Sequence, residues 1–205
     1  MRGVEQIPWL YEILCSLYEW SGLAAWRHWL VAGARGRVLD VGSGTGRNLP
    51  LLPHDARAVA LDPSLDALKR ARRRAPAVPL VGGCAEALPF RDGSFDTVLS
   101  GLVFCSVGEP ARGLAEVRRV LRADGQLRML EHVRSRVPWR ARFQDLIQPL
   151  WTWVAGGCHP NRDTEAAVER AGFRIEFEGR RAKGAYRRFA ARIGGTPGDA
   201  ISGAV

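Results

Sequence analysis

The chain has 205 residues, 46% of them hydrophobic and 25% charged, which suits one globular domain with a full core. No apolar run reaches the ~18–20 residues of a membrane span, and Glu5, Glu12 and Glu19 interrupt any leader-peptide layout at the N-terminus. A formal net charge of +9 points to an anionic partner, but runs such as Lys69-Arg70-Ala71-Arg72-Arg73-Arg74 read first as the solvated face of a helix.

Residues 5–32 carry Ile7, Leu10, Tyr11, Leu14, Leu17 and Tyr18, then Leu23, Trp26 and Leu30, at helical spacing. This predicts one or two amphipathic helices broken around Ser21-Gly22. Trp9, Trp20, Trp26 and Trp29 make the segment rich in indole. It reads as a lid or a packed cover, ahead of a face lying on a membrane interface. From Arg37 the pattern alternates between strands and helices. A strand at 38–41 leads to a glycine-rich loop and a helix near 47–52. A strand at 57–61 leads to a helix from Ser64, its N-cap, to Ala75, stopped by Pro76. Val78–Val81 is a third strand, and Asp92-Gly93 is a turn before a fourth, Phe95–Ser100. A helix over Arg112–Leu121 ends at Ala123-Asp124-Gly125, before a fifth strand, Gln126–Glu131. Helices around 138–155 and 163–171 precede two closing strands, Phe173–Gly179 and Ala185–Ile193. Strands separated by helices imply an α/β fold with a parallel sheet covered on both faces. The chain thus divides into N-terminal helices (1–34), a core domain (35–193) and a tail (194–205).

The densest signal is Val38-Leu39-Asp40-Val41-Gly42-Ser43-Gly44-Thr45-Gly46. A buried strand enters a tight turn whose glycines accept positive φ and let a ligand lie against bare backbone. A second acid, Asp62, closes the strand Ala58-Val59-Ala60-Leu61-Asp62 about 20 residues on, where a βαβ fold grips a ribose. The pair reads as a nucleoside-cofactor site. The glycines occupy the first, third and fifth positions with Arg47 at the sixth, so the dinucleotide fingerprint does not fit, and no G-K-[ST] follows for a P-loop.

The D-x-G-x-G-x-G pattern with a following strand that ends in Asp62 resembles the class I S-adenosylmethionine-dependent methyltransferases. Ala85 through Asp96 and Glu116 through Gly125 resemble their quinone-biosynthesis and phospholipid branch. Val103-Phe104-Cys105-Ser106-Val107, Glu131-His132-Val133 and the stretch from Trp151 through Gly156-Gly157-Cys158 to Arg162 are similar to the alkyl-thiol methyltransferases. The resemblance implies a Rossmann-like, doubly wound, mostly parallel seven-stranded sheet with the last strand antiparallel. It also implies S-adenosylmethionine as cofactor, with S-adenosylhomocysteine as product. Gly42, Gly44 and Gly46 would then admit the methionine part and Asp40 would lie near its ammonium group. Asp62, with Pro63 beside it, would accept both ribose hydroxyls. Ala85 would offer its N–H to the adenine, flanked by Cys84 and Glu86, and Ser100 or its neighbours would line the methionine end.

Methyl transfer needs its reacting atoms held in line, and a thiol acceptor must also ionise, because the thiolate is the nucleophile. His132, at the carboxyl end of the fifth strand, is the candidate base, and Glu131 either orients it or finishes the strand. Cys105 is expected to be buried and Arg162 to lie on the surface. Trp139, Trp151 and Trp153 are expected in a pocket wall or the core. The four cysteines, Cys15, Cys84, Cys105 and Cys158, form no C-x-x-C pair, and no histidine has ligand spacing to Cys158-His159, so no metal site and a reducing cytoplasm are expected. The acceptor is a small molecule, a thiol first, or else a lipid amine or quinone ring carbon, with peripheral membrane contact through the N-terminal helices. Ser100-Gly101-Leu102-Val103 lacks the Asn/Asp-Pro-Pro-aromatic pattern of enzymes that methylate base amines, which places nucleic acid behind these acceptors. A non-catalytic cofactor-binding protein is the remaining class.

Overall fold

The computed structural model describes residues 23–154 and 157–194. The expectations for residues 5–22, with the break at Ser21-Gly22, and for the tail beyond Gly194 lie outside the described residues. Five strands, β1 (Arg37–Val41), β2 (Arg57–Asp62), β3 (Leu80–Gly82), β4 (Phe95–Gly101) and β5 (Leu121–His132), run parallel. β6 (Phe173–Ile175), β7 (Arg181–Lys183) and β8 (Tyr186–Ile193) complete the sheet. Its order is β3-β2-β1-β4-β5-β8-β6, and β8 is antiparallel to β5. β6 and β7 both pair with the outer edge of β8, β6 along Ala191–Ile193 and β7 along Tyr186–Arg188. The path has the seven strands expected. The short β7 adds an eighth, because Gly184, at φ 58°, allows a tight reversal into β8.

Both faces of the sheet are covered, so its central strands are apolar on both sides. On one face Leu39, Val41, Val98 and Leu127 pack against Leu114, Val117 and Val120 of α3 (Pro110–Val120) and Val168 of α5 (Thr164–Arg170). On the other, Val38, Leu99 and Leu130 pack against Leu30 and Val31 of α1 (Ala24–Ala32). Ala71 of α2 (Leu65–Arg74) covers Ala60 of β2. The Ser64 hydroxyl accepts the Ala67 N–H at 3.2 Å, the cap foreseen for α2. Among the described residues no helix is long and apolar enough to cross a membrane.

Two local expectations are corrected. The helix near 47–52 is only a 3-10 turn, Leu49–Leu51. Pro50 and Pro53 lack N–H donors, and Leu52, preceding a proline, is extended at ψ 147°. The turn at Ala123-Asp124-Gly125 does not separate helix from strand. β5 already begins at Leu121 opposite Phe95, and Gln126 lies opposite Thr97, so residues 122–125 form an excursion within the strand.

α1 is tied to the sheet by a buried arginine. Arg128 donates Nε to the Leu30 carbonyl at 2.8 Å and Nη2 to the Trp29 carbonyl, capping the helix where its carbonyls lack partners. Its guanidinium also lies 4.2 Å from the Trp29 ring centroid. Gly33 makes room, since a Cβ there would fall 2.3 Å from the guanidinium carbon. Arg128→Met leaves both carbonyls unpaired and is expected to cost about 2 kcal/mol in urea denaturation; an unchanged midpoint would contradict this anchoring role.

Candidate active site

The sheet reverses its strand order between β1 and β4, and a cleft of about 860 Å³ opens at the carboxyl ends of the strands there. Of the residues singled out from sequence, Gly42, Gly44, Asp62, Pro63, Cys84, Ala85 and Glu86 line it, joined by Leu102 and Val103. Asp40, Gly46, Ser100 and His132 are not on its wall.

Asp62 shapes the cleft. Its Oδ2 accepts the Gly44 N–H and its Oδ1 the Ser64 N–H, both at 2.8 Å, and the Ser43 N–H reaches the Leu61 carbonyl at 3.0 Å. One carboxylate thus joins the glycine loop to the start of α2. Burial raises its pKa, against the pull of those two N–H groups. The glycines serve distinct ends. All three have positive φ, 61° at Gly42, 54° at Gly44 and 77° at Gly46. A Cβ at Gly42 would strike Val103 at 2.5 Å, and one at Gly46 would meet Ala71 at 2.9 Å. At Gly44 nothing lies within 4 Å, so this backbone is open to the cleft.

Asp40 is fully buried behind this loop. Its Oδ1 accepts from Asn48 Nδ2 at 2.9 Å, and Asn48 Oδ1 accepts from Arg27 at 2.7 Å. Its Oδ2 has no hydrogen-bond partner, and burial pushes the carboxyl up to about 7. An orphaned, buried carboxylate oxygen beside an open glycine loop fits a cofactor that brings a cation and a pair of hydroxyls. Asn48 was not singled out from sequence, because a polar residue soon after a glycine loop has no distinguishing pattern.

On the far side, Glu86 lines the cleft. Its Oε1 accepts the N–H groups of Gly108 at 3.0 Å and Glu109 at 3.3 Å, bracing the loop after β4. Of Ser100 and its neighbours, Gly101, Leu102 and Val103 line the cleft, while the Ser100 hydroxyl turns inward and donates to Glu131 at 2.7 Å. Leu102 is the one non-glycine residue with positive φ among the described residues, at 63°, with its N–H on the Leu130 carbonyl at 2.7 Å. A leucine held there stores backbone strain at the cleft edge, and no sequence signal announces it.

Glu131 does not orient His132. Fully buried, it accepts Ser100 Oγ and the N–H groups of Val103, Phe104 and Cys105, so it fixes the turn after β4. Burial pushes it up to about 7 against these donors. Arg162 holds the same turn from the other side, donating to the Phe104 and Val107 carbonyls at 2.8 and 2.6 Å. It is half-buried and structural, contrary to the surface placement expected.

His132 lies among Tyr186, Trp151 and Cys158. Its ring stacks on Tyr186 at 4.9 Å and 21°, and meets Trp151 edge-on at 6.1 Å. Trp151 belongs to α4 (Pro138–Val154). His132 Nδ1 is 3.7 Å from Cys158 Sγ. The neighbouring thiols of Cys158 and Cys105 shift in opposite directions, Cys158 below and buried Cys105 well above the ordinary thiol range; His132 and Trp151 lower Cys158 further. The His159 N–H on the Cys105 carbonyl at 2.8 Å locks the two segments together. Cys105 is buried as expected, but Trp139 and Trp153 lie in neither core nor pocket wall: both are exposed. Among the described residues no group of three or more potential metal ligands converges.

A profile of the methyltransferase domain matches residues 39–129. The chain is 34% identical to human thiol S-methyltransferase TMT1B over 153 residues, 70% of this chain and 63% of that protein. It is 39% identical over 127 residues to a demethylmenaquinone methyltransferase of Renibacterium salmoninarum, covering 59% of this chain and 53% of that one. The chain therefore spans less than two thirds of these relatives. A solved SAM-dependent methyltransferase of Thermotoga maritima superposes with a TM-score of 0.73 over 93% of this chain and 98% of its own. At 22% identity it bears on the fold alone. Residues 39–129 form a methyltransferase domain, in a chain similar to S-adenosylmethionine-dependent methyltransferases of class I.

The four-donor grip on Glu131 is testable. In Glu131→Gln an amide NH₂ replaces one acceptor oxygen and faces an N–H donor, which is expected to cost about 1–3 kcal/mol in urea denaturation. Parent-like stability would show that the turn does not depend on this carboxylate.

Proposed function

We propose that the protein transfers the methyl group of S-adenosylmethionine to the sulfur of a small apolar thiol. The observation that carries the cofactor half is the pair of acids around the glycine loop: Asp62 on the cleft wall and Asp40 behind it with an unpartnered oxygen. Each Asp62 oxygen accepts one N–H, which leaves lone pairs for the two ribose hydroxyls. Asp40 Oδ2 would take the ammonium group, and the bare backbone at Gly42 and Gly44 would admit the methionine chain. Pro63, Cys84, Ala85 and Glu86 would border the adenine. Residues 35–193 form the transferase unit in this reading, residues 1–34 cover it, and residues 194–205 extend beyond it.

S-adenosylmethionine, when bound, supplies a methyl group on a sulfonium whose leaving group is a neutral thioether. The protein then has only to align the acceptor and remove its proton. His132 is proposed as the base. Cys158 at Nδ1 leaves Nε2 as the nitrogen able to take the thiol proton, and Tyr186 and Trp151 fix the ring plane. Similarity to the thiol S-methyltransferases favours sulfur as the acceptor. The demethylmenaquinone methyltransferase relative supports a second reading, a quinone ring carbon.

The test is release of S-adenosylhomocysteine with a panel of alkyl thiols, quinols and phospholipid micelles. Turnover is expected with the thiols. His132→Ala is expected to lose most at low pH, where a free thiol of pKa ~8.5 is almost wholly protonated without a base. Turnover confined to quinols or lipids would remove the thiol, and a pH profile for His132→Ala parallel to the parent would remove the base.

A further inference from the structure

Cys105, in the turn after β4, and Cys158, in the segment after α4, meet only in the folded chain. The Cys105 carbonyl accepts the His159 N–H at 2.8 Å, which lays the two backbones alongside each other. The thiols are neighbours, and each shifts the other's ionisation. Both residues are buried, 3% and 9% exposed, yet their surroundings differ. Cys158 Sγ lies 3.7 Å from His132 Nδ1. The Cys105 thiol, His132 and Trp151 hold Cys158 well below the ordinary thiol range, against its burial. Cys158, burial and the Glu131 carboxylate hold Cys105 well above that range, although the Ser106 hydroxyl 3.7 Å away pulls the other way. The Arg162 charge interacts with both thiols. Packing alone does not call for an imidazole beside a buried thiol, whereas an electropositive partner marks a reactive one.

We propose that Cys158 and Cys105 are a peroxide-reactive dithiol, which a small hydroperoxide oxidises to an intramolecular disulfide. Cys158 is the attacking thiolate. Its sulfur takes the terminal oxygen of the hydroperoxide, so an S–O bond forms and the O–O bond breaks. The alkoxide that leaves, or hydroxide where the oxidant is hydrogen peroxide, picks up the proton that Cys158 gave up on ionising. Cys105 keeps its proton until this point. Its sulfur then displaces the hydroxyl of the Cys158 sulfenic acid, and that hydroxyl departs with the Cys105 proton as water. Two electrons pass from the thiols to the peroxide. Ser106, next to Cys105 in the chain, lines the cleft, which gives a small oxidant its approach. The disulfide leaves no thiolate at His132 Nδ1. The reaction consumes no methyl donor, so it stands independently of the proposed methyl transfer.

Timed treatment of the full chain with hydrogen peroxide, followed by thiol blocking and peptide mapping without reductant, tests this. The expected product is a Cys105–Cys158 link within one chain, its mass lower by two hydrogens and restored by dithiothreitol. The exposed Cys84 is the internal reference. The link should form at least about threefold faster than Cys84 is oxidised, because thiolate character outweighs exposure. Cys105→Ser should stop the reaction at the Cys158 sulfenic acid, which dimedone traps, and Cys158→Ser should leave Cys105 a free thiol. Cys84→Ser should leave the link unchanged. The map of the parent decides independently of any variant. The proposal is overturned if Cys84 is oxidised while Cys105 and Cys158 remain thiols. It is equally overturned if the link joins Cys15 or Cys84, or forms between two chains.

Discussion

One carboxylate at the end of β2 sets the shape of the cleft. Asp62 draws the Gly44 and Ser64 N–H groups onto its two oxygens, so the loop after β1 and the first turn of α2 are held by the same side chain. The positive φ of the three glycines is what lets the loop curl far enough to be held. With the loop curled, Asp40 is buried behind it, half satisfied by Asn48. Such a group is stable in the folded chain only at a raised pKa or beside a cation. In the proposed reading, a positively charged ligand would relieve this electrostatic deficit further than Arg27 already does.

A second buried acid performs a similar task one strand over. Glu131 gathers three consecutive N–H groups after β4 and so decides where Val103 stands, and Val103 fills the space that Gly42 leaves. The two loops flanking the cleft are thus each shaped by a carboxylate from a neighbouring strand. Arg162 closes the outer side of the same turn, and its segment brings Cys158 to His132.

Much of this was legible in the chain. Alternating apolar runs and glycine punctuation located β1, β2 and β4, and the register of Asp62 to the glycine turn located the cleft. Pro50 and Pro53 carried the signal that no helix forms after the loop, because a proline removes a donor and keeps its predecessor extended. Other features depend on tertiary placement. Ser100 looked like a cleft residue at the end of its strand, but a buried carboxylate 31 residues away turns its hydroxyl inward. Leu102 takes its positive φ with its N–H on the Leu130 carbonyl, a contact 28 residues away in the chain. Trp139 and Trp153 have a spacing that reads as core, and only the position of α4 leaves them outside. The meeting of Cys105, Cys158 and His132 joins three segments that no local pattern connects.

The most direct test of the account is calorimetry of S-adenosylmethionine with the parent, Asp40→Asn and Asp62→Ala as pH is lowered. Asp40 sits near 7 in the free protein instead of the ordinary 3.8, so it is ionised above that pH and neutral below it. A cation bound to it selects the ionised form. Parent affinity should therefore fall toward about tenfold per pH unit below ~7, and Asp40→Asn should bind weakly with little pH dependence. Asp62→Ala should lose two charge-assisted hydrogen bonds, each worth about 1.5–3 kcal/mol, at every pH. Equal affinity and an equal pH profile for the parent and both variants would contradict the assignment of this cleft as the cofactor site.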